Sequence, residues 1–230
     1  MKSPKKIAIF DIDGTIFRSS LLIELVEALI NNDLFPQKAR NIYAQAYKDW
    51  SNRQGSYEDY IDAVVLAFKK NIKGTNHDAY LKIAKQVVSD NKDRVYRYTR
   101  DLIKDLKKKN YYLLAISNSP KEIVQSFCHE LGFDKVYGRE YEVVNKIFTG
   151  ETLHLDLISD KAKMLQHAIE KEELTLVDSI GVGDSEGDIP LLKMVEYPIC
   201  FNPNSKLYVK AKKYGWKIVV ERKDVIYEKI

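Results

Sequence analysis

The stretch KKIAIFDIDGTIF, residues 5–17, decides the fold. Its apolar residues 7–10 lead directly into Asp11 and Asp13, and Gly14 follows. A short apolar run that ends in turn-forming residues is typical of a buried strand in a parallel sheet. Two like charges at the end of such a strand repel each other and resist desolvation. We therefore expect a positively charged partner at this point.

The composition is that of a globular chain. With 230 residues, 45% hydrophobic and 30% charged, the chain can bury one ample core or a core with a subdomain. The net charge is +4, and lysines recur at positions 107–109, 206, 210, 212 and 213. Because these lysines are interleaved with acids, mostly at helical spacing, they indicate a solvated face. We therefore expect no nucleic-acid partner.

Membrane insertion and disulfide bonding are not expected either. The most apolar helical stretch, 21–30, is short and carries Glu24 and Glu27, so it cannot span a bilayer. Only two cysteines occur, Cys128 and Cys200, without a CxxC pattern, which suits a reducing compartment. The expected location is the cytoplasm. Nothing in the sequence specifies an oligomeric state.

Short apolar runs alternate with helical patterns along the rest of the chain. Strands are predicted at residues 7–10, 112–116, 179–182, 198–201 and 216–220. Helices are predicted between them, at residues 94–109, 121–131 and 161–171. This alternation predicts an α/β fold with a doubly wound parallel sheet.

A helical insertion separates the first two predicted strands. It contains three apolar stripes at helical spacing, rich in aromatic residues, with turn signals between them. We expect these stripes to pack a small core of their own. The predicted domains are therefore an α/β core, residues 1–16 and 93–230, and a helical subdomain, residues 17–92.

Polar side chains collect where the predicted strands end. In an open α/β sheet, ligands bind at the carboxyl ends of the strands. Besides Asp11 and Asp13, the sequence GVGDSEGD places Asp184 and Asp188 at this edge. Four carboxylates repel one another unless a cation joins them. Oxygen ligands without a His or Cys cluster favour a hard ion, so the expected cofactor is Mg²⁺.

Groups suited to a phosphate lie at the same edge. Ser117 and the Asn118 amide follow the second strand and lead into a helix, where phosphate oxygens are readily bound. Lys161 begins a later helix and would complete the charge balance, with Lys163 as the alternative. Ser119 fits a helix cap as well as it fits a functional role.

Four motifs in order carry a family resemblance. DIDGT, ISNS, Lys161 and GVGDSEGD resemble the four motifs of the haloacid dehalogenase superfamily, and the helical insertion resembles its type-1 cap. The stretches SNSPKEIV and NKIFTGE are similar to the phosphoserine-phosphatase-like subgroup. The resemblance covers nearly the whole chain. It implies a phosphatase that acts on a small phosphorylated metabolite.

The resemblance also implies roles for the matched residues. Asp11 would be the nucleophile that forms an aspartyl-phosphate, and Asp13 the general acid and base. Mg²⁺ would be held by the Asp11 carboxylate, the Asp13 main-chain carbonyl and the Asp184 carboxylate. Asp188 would orient the metal site through water or Lys161, or cap the helix that follows it. Phosphate binding and charge neutralisation would fall to Ser117, Asn118 and Lys161.

Two departures from the subgroup concern the substrate. Gly187 stands where phosphoserine phosphatases usually carry Asn. Ser20 stands nine residues after Asp11, where those enzymes carry a glutamate that pairs with the substrate's ammonium group. We therefore expect phosphoserine to be a poor substrate. Phosphoryl transfer to an acceptor other than water, for example by a mutase, and a non-catalytic phosphate-binding module are the alternative functions.

Overall fold

A seven-stranded, mostly parallel sheet forms the centre of the fold. The structure is a computed structural model that describes residues 4–158 and 160–229. Its described strands are β1 (Lys5–Phe10), β2 (Tyr112–Pro120), β3 (Lys135–Arg139), β4 (Tyr141–Val144), β5 (Ile147–Thr152), β6 (Leu174–Gly183), β7 (Tyr197–Phe201), β8 (Lys217–Arg222) and β9 (Val225–Lys229). The sheet order is β3-β2-β1-β6-β7-β8-β9. Only β9 runs antiparallel to its neighbour in this sheet.

Helices connect the strands, as the alternating pattern predicts. The described α-helices are α1 (Leu21–Asn31), α2 (Ala44–Ser51), α3 (Tyr57–Asn71), α4 (His77–Asn91), α5 (Arg97–Lys108), α6 (Lys121–Leu131), α7 (Leu155–Ile158), α8 (Lys161–Glu172), α9 (Ile189–Leu192) and α10 (Ser205–Tyr214). Short 3₁₀ segments lie at Gln37–Ile42 and Glu186–Asp188. The predicted doubly wound α/β fold is confirmed. No helix in the described part of the chain is both long and apolar enough to cross a membrane.

The centre of the sheet is formed by β1. Ala8 lies opposite Leu113 of β2 and Ile180 of β6, and Ile7 and Ile9 are fully buried. The apolar cluster around these strands continues into α8, α9 and α10. A strand buried on both faces explains why residues 7–10 form a continuous apolar run rather than an alternating pattern.

The chain divides into two units. One consists of Ser20–Asn91 and Glu140–Leu153, and the other holds the seven-stranded sheet. The predicted division at residues 17–92 differs from this because the β4–β5 hairpin joins the helical unit. Backbone hydrogen bonds tie the hairpin to the turn before α4, Gly74 N–Phe148 O at 2.8 Å and Phe148 N–Thr75 O at 3.0 Å.

Aromatic side chains fill the core of the helical unit. Tyr80 of α4 packs edge-on against Phe148 of the hairpin at 5.0 Å between ring centroids. Phe68 of α3 lies 5.1 Å from Tyr141 and contacts Phe35 and Tyr80. These contacts agree with the expectation that the aromatic stripes of the insertion pack a core of their own. The contacts with Phe148 and Tyr141 join segments about 70 residues apart, which helical periodicity does not reveal.

Candidate active site

The carboxyl ends of β1, β2 and β6 lie side by side. Phe10, the last residue of β1, is opposite Ala115 of β2 and Val182 of β6. The ladder continues one step further, because the Asp11 amide donates to the Val182 carbonyl at 2.9 Å. This register brings the segments that follow the three strands to one edge of the sheet.

A buried lysine lies between two of the carboxylates. Lys161 Nζ is 2.5 Å from Asp11 Oδ1 and 2.5 Å from Asp188 Oδ1. The three side chains are 6%, 8% and 0% exposed, so their charges are largely removed from water. Lys163, the alternative lysine, is exposed on the same helix. Lys161 is therefore a positive partner of the acidic strand end.

Lys161 reaches this place because it begins α8. Asp160 caps the helix, and its carboxylate accepts from the amides of Ala162 and Lys163 at 2.9 and 3.4 Å. The neighbouring apolar side chains of the same helix, Met164 and Leu165, are buried in the sheet core. The first residue of α8 is thus fixed against the sheet edge.

Three carboxylates gather around the same point. One oxygen each of Asp11, Asp184 and Asp188 lie within 4.8 Å of one another. Burial, with the charges of Asp188 and Asp13, raises the pKa of Asp11 to about 7, although Lys161 opposes the shift. Burial and the charges of Asp11 and Asp188 also raise the pKa of Asp184 well above its usual value. With every group ionised, the three carboxylates would carry more negative charge than one lysine offsets, and the raised pKa values result from burial and from this mutual repulsion.

The lysine itself stays charged. Burial on its own would lower the pKa of Lys161, but the carboxylates of Asp11 and Asp188 more than offset that effect and raise its pKa above the usual value. A permanently protonated ammonium group cannot act as a base. It can neutralise negative charge on a neighbouring group.

Asp188 organises the loop that follows β6. Its Oδ2 accepts from the amides of Asp184 and Ser185, both at 3.0 Å, while its Oδ1 contacts Lys161. It does not cap α9 through its side chain. Gly183 is required beside it, because a Cβ there would lie 2.5 Å from the Asp188 Cβ.

Asp13 is bound by two hydroxyl groups from the end of β2. Its Oδ2 accepts from Ser117 Oγ at 3.0 Å and from Ser119 Oγ at 2.7 Å. The Ser119 amide donates to Ser117 Oγ at 3.0 Å. Sequence reasoning could not separate a cap from a functional role for Ser119. The structure shows no capping bond from it, since Pro120 is the N-cap of α6.

Other residues at this edge were identified only in part from the sequence. Asn118 is exposed, and its main-chain carbonyl oxygen accepts from Arg139 Nε at 3.4 Å. Asn204, which the sequence did not single out, donates its main-chain N–H to the main-chain carbonyl of Asp184 at 2.8 Å, and its side chain caps α10. Its signal is weak, because an Asn before a helix is usually only a cap.

Gly14 is a steric requirement of the edge. Its φ is +81°, and a Cβ there would lie 2.2 Å from Asp184 Oδ2. A glycine therefore permits both the left-handed turn after Asp13 and the close approach of Asp184. Beside it, Thr15 Oγ1 lies 3.5 Å from Asp184 Oδ1.

The buried cysteines are poor candidates for a nucleophile. Burial, with the charges of Asp13 and Asp11, raises the pKa of the Cys128 thiol well above its usual value. Burial and the charge of Asp188 raise the pKa of Cys200 to about 12. A thiol is reactive as the thiolate, which both environments disfavour. Neither cysteine is therefore suited to act as a nucleophile at this edge.

The site thus consists of a buried lysine and clustered carboxylates at the carboxyl edge of a mostly parallel α/β sheet. The sequence model of the haloacid dehalogenase-like hydrolases matches residues 8–193. The chain belongs to this family. The predicted resemblance to the family is thereby confirmed.

Related proteins agree with this assignment. A phosphoserine phosphatase of Mycobacterium tuberculosis is 25% identical over 219 residues, which cover 92% of this chain and 69% of that protein. A histidinol-phosphatase of Neisseria meningitidis serogroup C is 23% identical, and the match covers 94% of this chain and 98% of that protein. These relatives support the expected enzyme class, a phosphoric monoester hydrolase.

Solved structures share the fold. A protein of unknown function from Bordetella pertussis Tohama I superposes with a TM-score of 0.73 at 16% identity, covering 94% of this chain and 98% of that one. A phospho-aspartyl intermediate analogue of phosphoserine phosphatase superposes with a TM-score of 0.61 at 22% identity, and the match covers 97% of this chain and 96% of that one. The predicted fold class is confirmed by both.

Proposed function

We propose that the protein is a Mg²⁺-dependent phosphatase that hydrolyses a small phosphomonoester through a phosphorylated Asp11. The observation that carries the proposal is the charge of the buried cluster. With all groups ionised, Asp11, Asp184 and Asp188 contribute three negative charges and Lys161 one positive charge, which leaves two negative charges. A divalent cation matches that excess.

The donor set fits magnesium. The candidate ligands are the Asp11 and Asp184 carboxylates and the Asp13 main-chain carbonyl, all of them oxygen donors. Asp188 fits a supporting role, because Lys161 and two loop amides already occupy its carboxylate oxygens. When bound, Mg²⁺ would supply positive charge to the carboxylates and to the phosphoryl oxygens.

The first chemical step assigns different roles to the two aspartates of the opening motif. A carboxylate oxygen of Asp11 attacks the phosphorus atom, and a P–O bond to Asp11 forms as the bond to the leaving oxygen breaks. Asp13 transfers a proton to the leaving oxygen. Lys161 remains charged beside Asp11 and offsets the negative charge of the transferring group. The Ser117 hydroxyl and the Asn118 amide bind its oxygens.

The second step returns the enzyme to its starting state. Asp13, now deprotonated, accepts a proton from water as the water oxygen attacks the phosphorus of phospho-Asp11. The acyl-phosphate P–O bond breaks, and inorganic phosphate leaves. Asp11 regains its carboxylate, so no co-reactant besides water is consumed.

Hydrolysis of p-nitrophenyl phosphate tests the proposal. We expect turnover with millimolar Mg²⁺ and essentially none in excess EDTA. A screen of phosphorylated metabolites under the same conditions would then identify the natural substrate. Failure to hydrolyse any monoester in the presence of Mg²⁺ would contradict the proposal and favour a binding module or a transferase.

A further inference from the structure

Two hydroxyl groups share one oxygen of the Asp13 carboxylate. Ser119 Oγ is the closer donor to Oδ2, at 2.7 Å, and Ser117 Oγ is 3.0 Å away. The proposed function requires Ser117 to bind the phosphoryl group, and a single hydroxyl proton cannot serve both acceptors. Ser119 is then the donor that stays on Asp13 while substrate is bound.

The surroundings of Ser119 hold its side chain in place. The residue is 4% exposed, at the end of β2, and it is followed by Pro120. α6 makes no side-chain capping bond, so the Ser119 hydroxyl is not used by the helix. Its amide donates to Ser117 Oγ at 3.0 Å, which also fixes the neighbouring hydroxyl. A buried hydroxyl aimed at a carboxylate loses little freedom when the substrate binds.

We propose that Ser119 is a positioning residue that orients Asp13 for proton transfer to the leaving oxygen. The inference rests on the proposed phosphatase function. Hydrogen bonds to Oδ2 make that oxygen the acceptor, so Oδ1 is the oxygen that carries the transferable proton. As the bond between phosphorus and the leaving oxygen breaks, the proton moves from Asp13 Oδ1 to the leaving oxygen. Ser119 itself neither gains nor loses a proton.

The dependence on the leaving group distinguishes positioning from a general structural role. An alkoxide is a strong base and needs the proton as it departs, whereas p-nitrophenolate departs without it. For this reason the comparison uses kcat/KM, which includes the step that expels the leaving group and excludes hydrolysis of the phospho-enzyme. The two substrates are glycerol 2-phosphate and p-nitrophenyl phosphate.

We expect Ser119→Ala to lower kcat/KM for glycerol 2-phosphate by about tenfold and for p-nitrophenyl phosphate by less than about threefold. Ser117→Ala should lower both by similar factors, because phosphoryl binding is common to the two substrates. Ser179→Ala is the matched control. Ser179 is a fully buried serine of β6 that accepts from the Glu196 amide at 3.0 Å, and its loss should leave the ratio of the two kcat/KM values unchanged.

The melting temperature of each variant is measured alongside its kinetics. An equal loss on both substrates for Ser119→Ala, or no loss on either, would overturn the positioning role. Failure of the proposed function itself has a different signature, since the wild-type protein would then hydrolyse neither ester in the presence of Mg²⁺.

Discussion

Replacing Lys161 by Met removes the positive charge that lies in direct contact with Asp11. Methionine is similar in length and unbranched, so the change removes charge with little change in packing. Asp11 and Asp188 each lose a contact of 2.5 Å with the ammonium group. Their side chains are 8% and 0% exposed, so water does not replace the lost interaction.

The cost follows from burial. Breaking a buried ion pair by removing one partner typically destabilises a protein by about 3–5 kcal/mol. Two contacts are lost here, but the desolvation cost of the lysine disappears with them, so a destabilisation within this range is expected. For a chain of this length it corresponds to a melting temperature lower by about 6–20 °C.

The loss should be larger at pH 8 than at pH 5. The pKa of Asp11 is about 7 even though the charge of Lys161 lowers it. Removal of Lys161 should therefore raise the pKa of Asp11 further. An acid whose pKa is higher in the folded than in the unfolded state lowers the free energy of unfolding, and it does so fully at a pH above the folded-state pKa. This loss of stability disappears at a pH below the pKa of the unfolded state. As the pH falls from 8 to 5, protonation of Asp11 relieves the repulsion, and the gap between variant and wild type narrows.

Thermal unfolding followed by circular dichroism in EDTA measures both effects. Lys163→Met is the matched control, because Lys163 is exposed on the same helix and its replacement should change stability by less than about 0.5 kcal/mol. A Lys161→Met protein as stable as the wild type at pH 8 would refute the charge balance described for this cluster. So would a difference in melting temperature between wild type and variant that increases from pH 8 to pH 5.

Three further predictions concern the metal and the substrate. Gly14→Ala should destabilise the protein by about 1–3 kcal/mol and weaken Mg²⁺ binding, measured by calorimetry. Gly215→Ala is the control for Gly14→Ala, because Gly215 also has a positive φ, +67°, but has open space where the Cβ would be added. Equal Mg²⁺ affinity in the two variants would contradict the steric argument. Asp184→Ala should abolish the rise in melting temperature that Mg²⁺ produces in the wild type, and a preserved rise would remove Asp184 from the ligand set. Phosphoserine should have a lower kcat/KM than glycerol 2-phosphate, since Ser20 offers no charge to an ammonium group, and the reverse order would contradict that expectation.

The sequence predicts the fold well because the decisive signals are local. Short, largely apolar runs mark the five strands at the centre of the sheet, and parallel topology then brings the segments after β1, β2 and β6 to one edge. The choice of Lys161 over Lys163 also follows from a local argument, the position at the start of a helix. Its burial agrees with that choice.

Other features depend on contacts between distant segments. β3 and β9, at the two edges of the sheet, are only partly buried, and neither contains more than three consecutive apolar residues. The sequence predicts neither strand of the β4–β5 hairpin, and the place of the hairpin in the helical unit depends on its contacts with the turn before α4. The hydrogen bond from Ser119 to Asp13 joins residues 106 positions apart, and no periodicity reports it.

The identity of the nucleophile is tested most directly by trapping the phosphorylated side chain. The wild-type enzyme is mixed with a phosphomonoester and Mg²⁺, quenched in acid and reduced with borohydride, which converts an aspartyl-phosphate into homoserine. Peptide mass spectrometry should then find homoserine at position 11, and the Asp11→Asn protein should show neither homoserine nor turnover above about a thousandth of the wild-type rate. Homoserine at a different aspartate, or near-normal hydrolysis by a folded Asp11→Asn protein, would contradict the phospho-Asp11 mechanism.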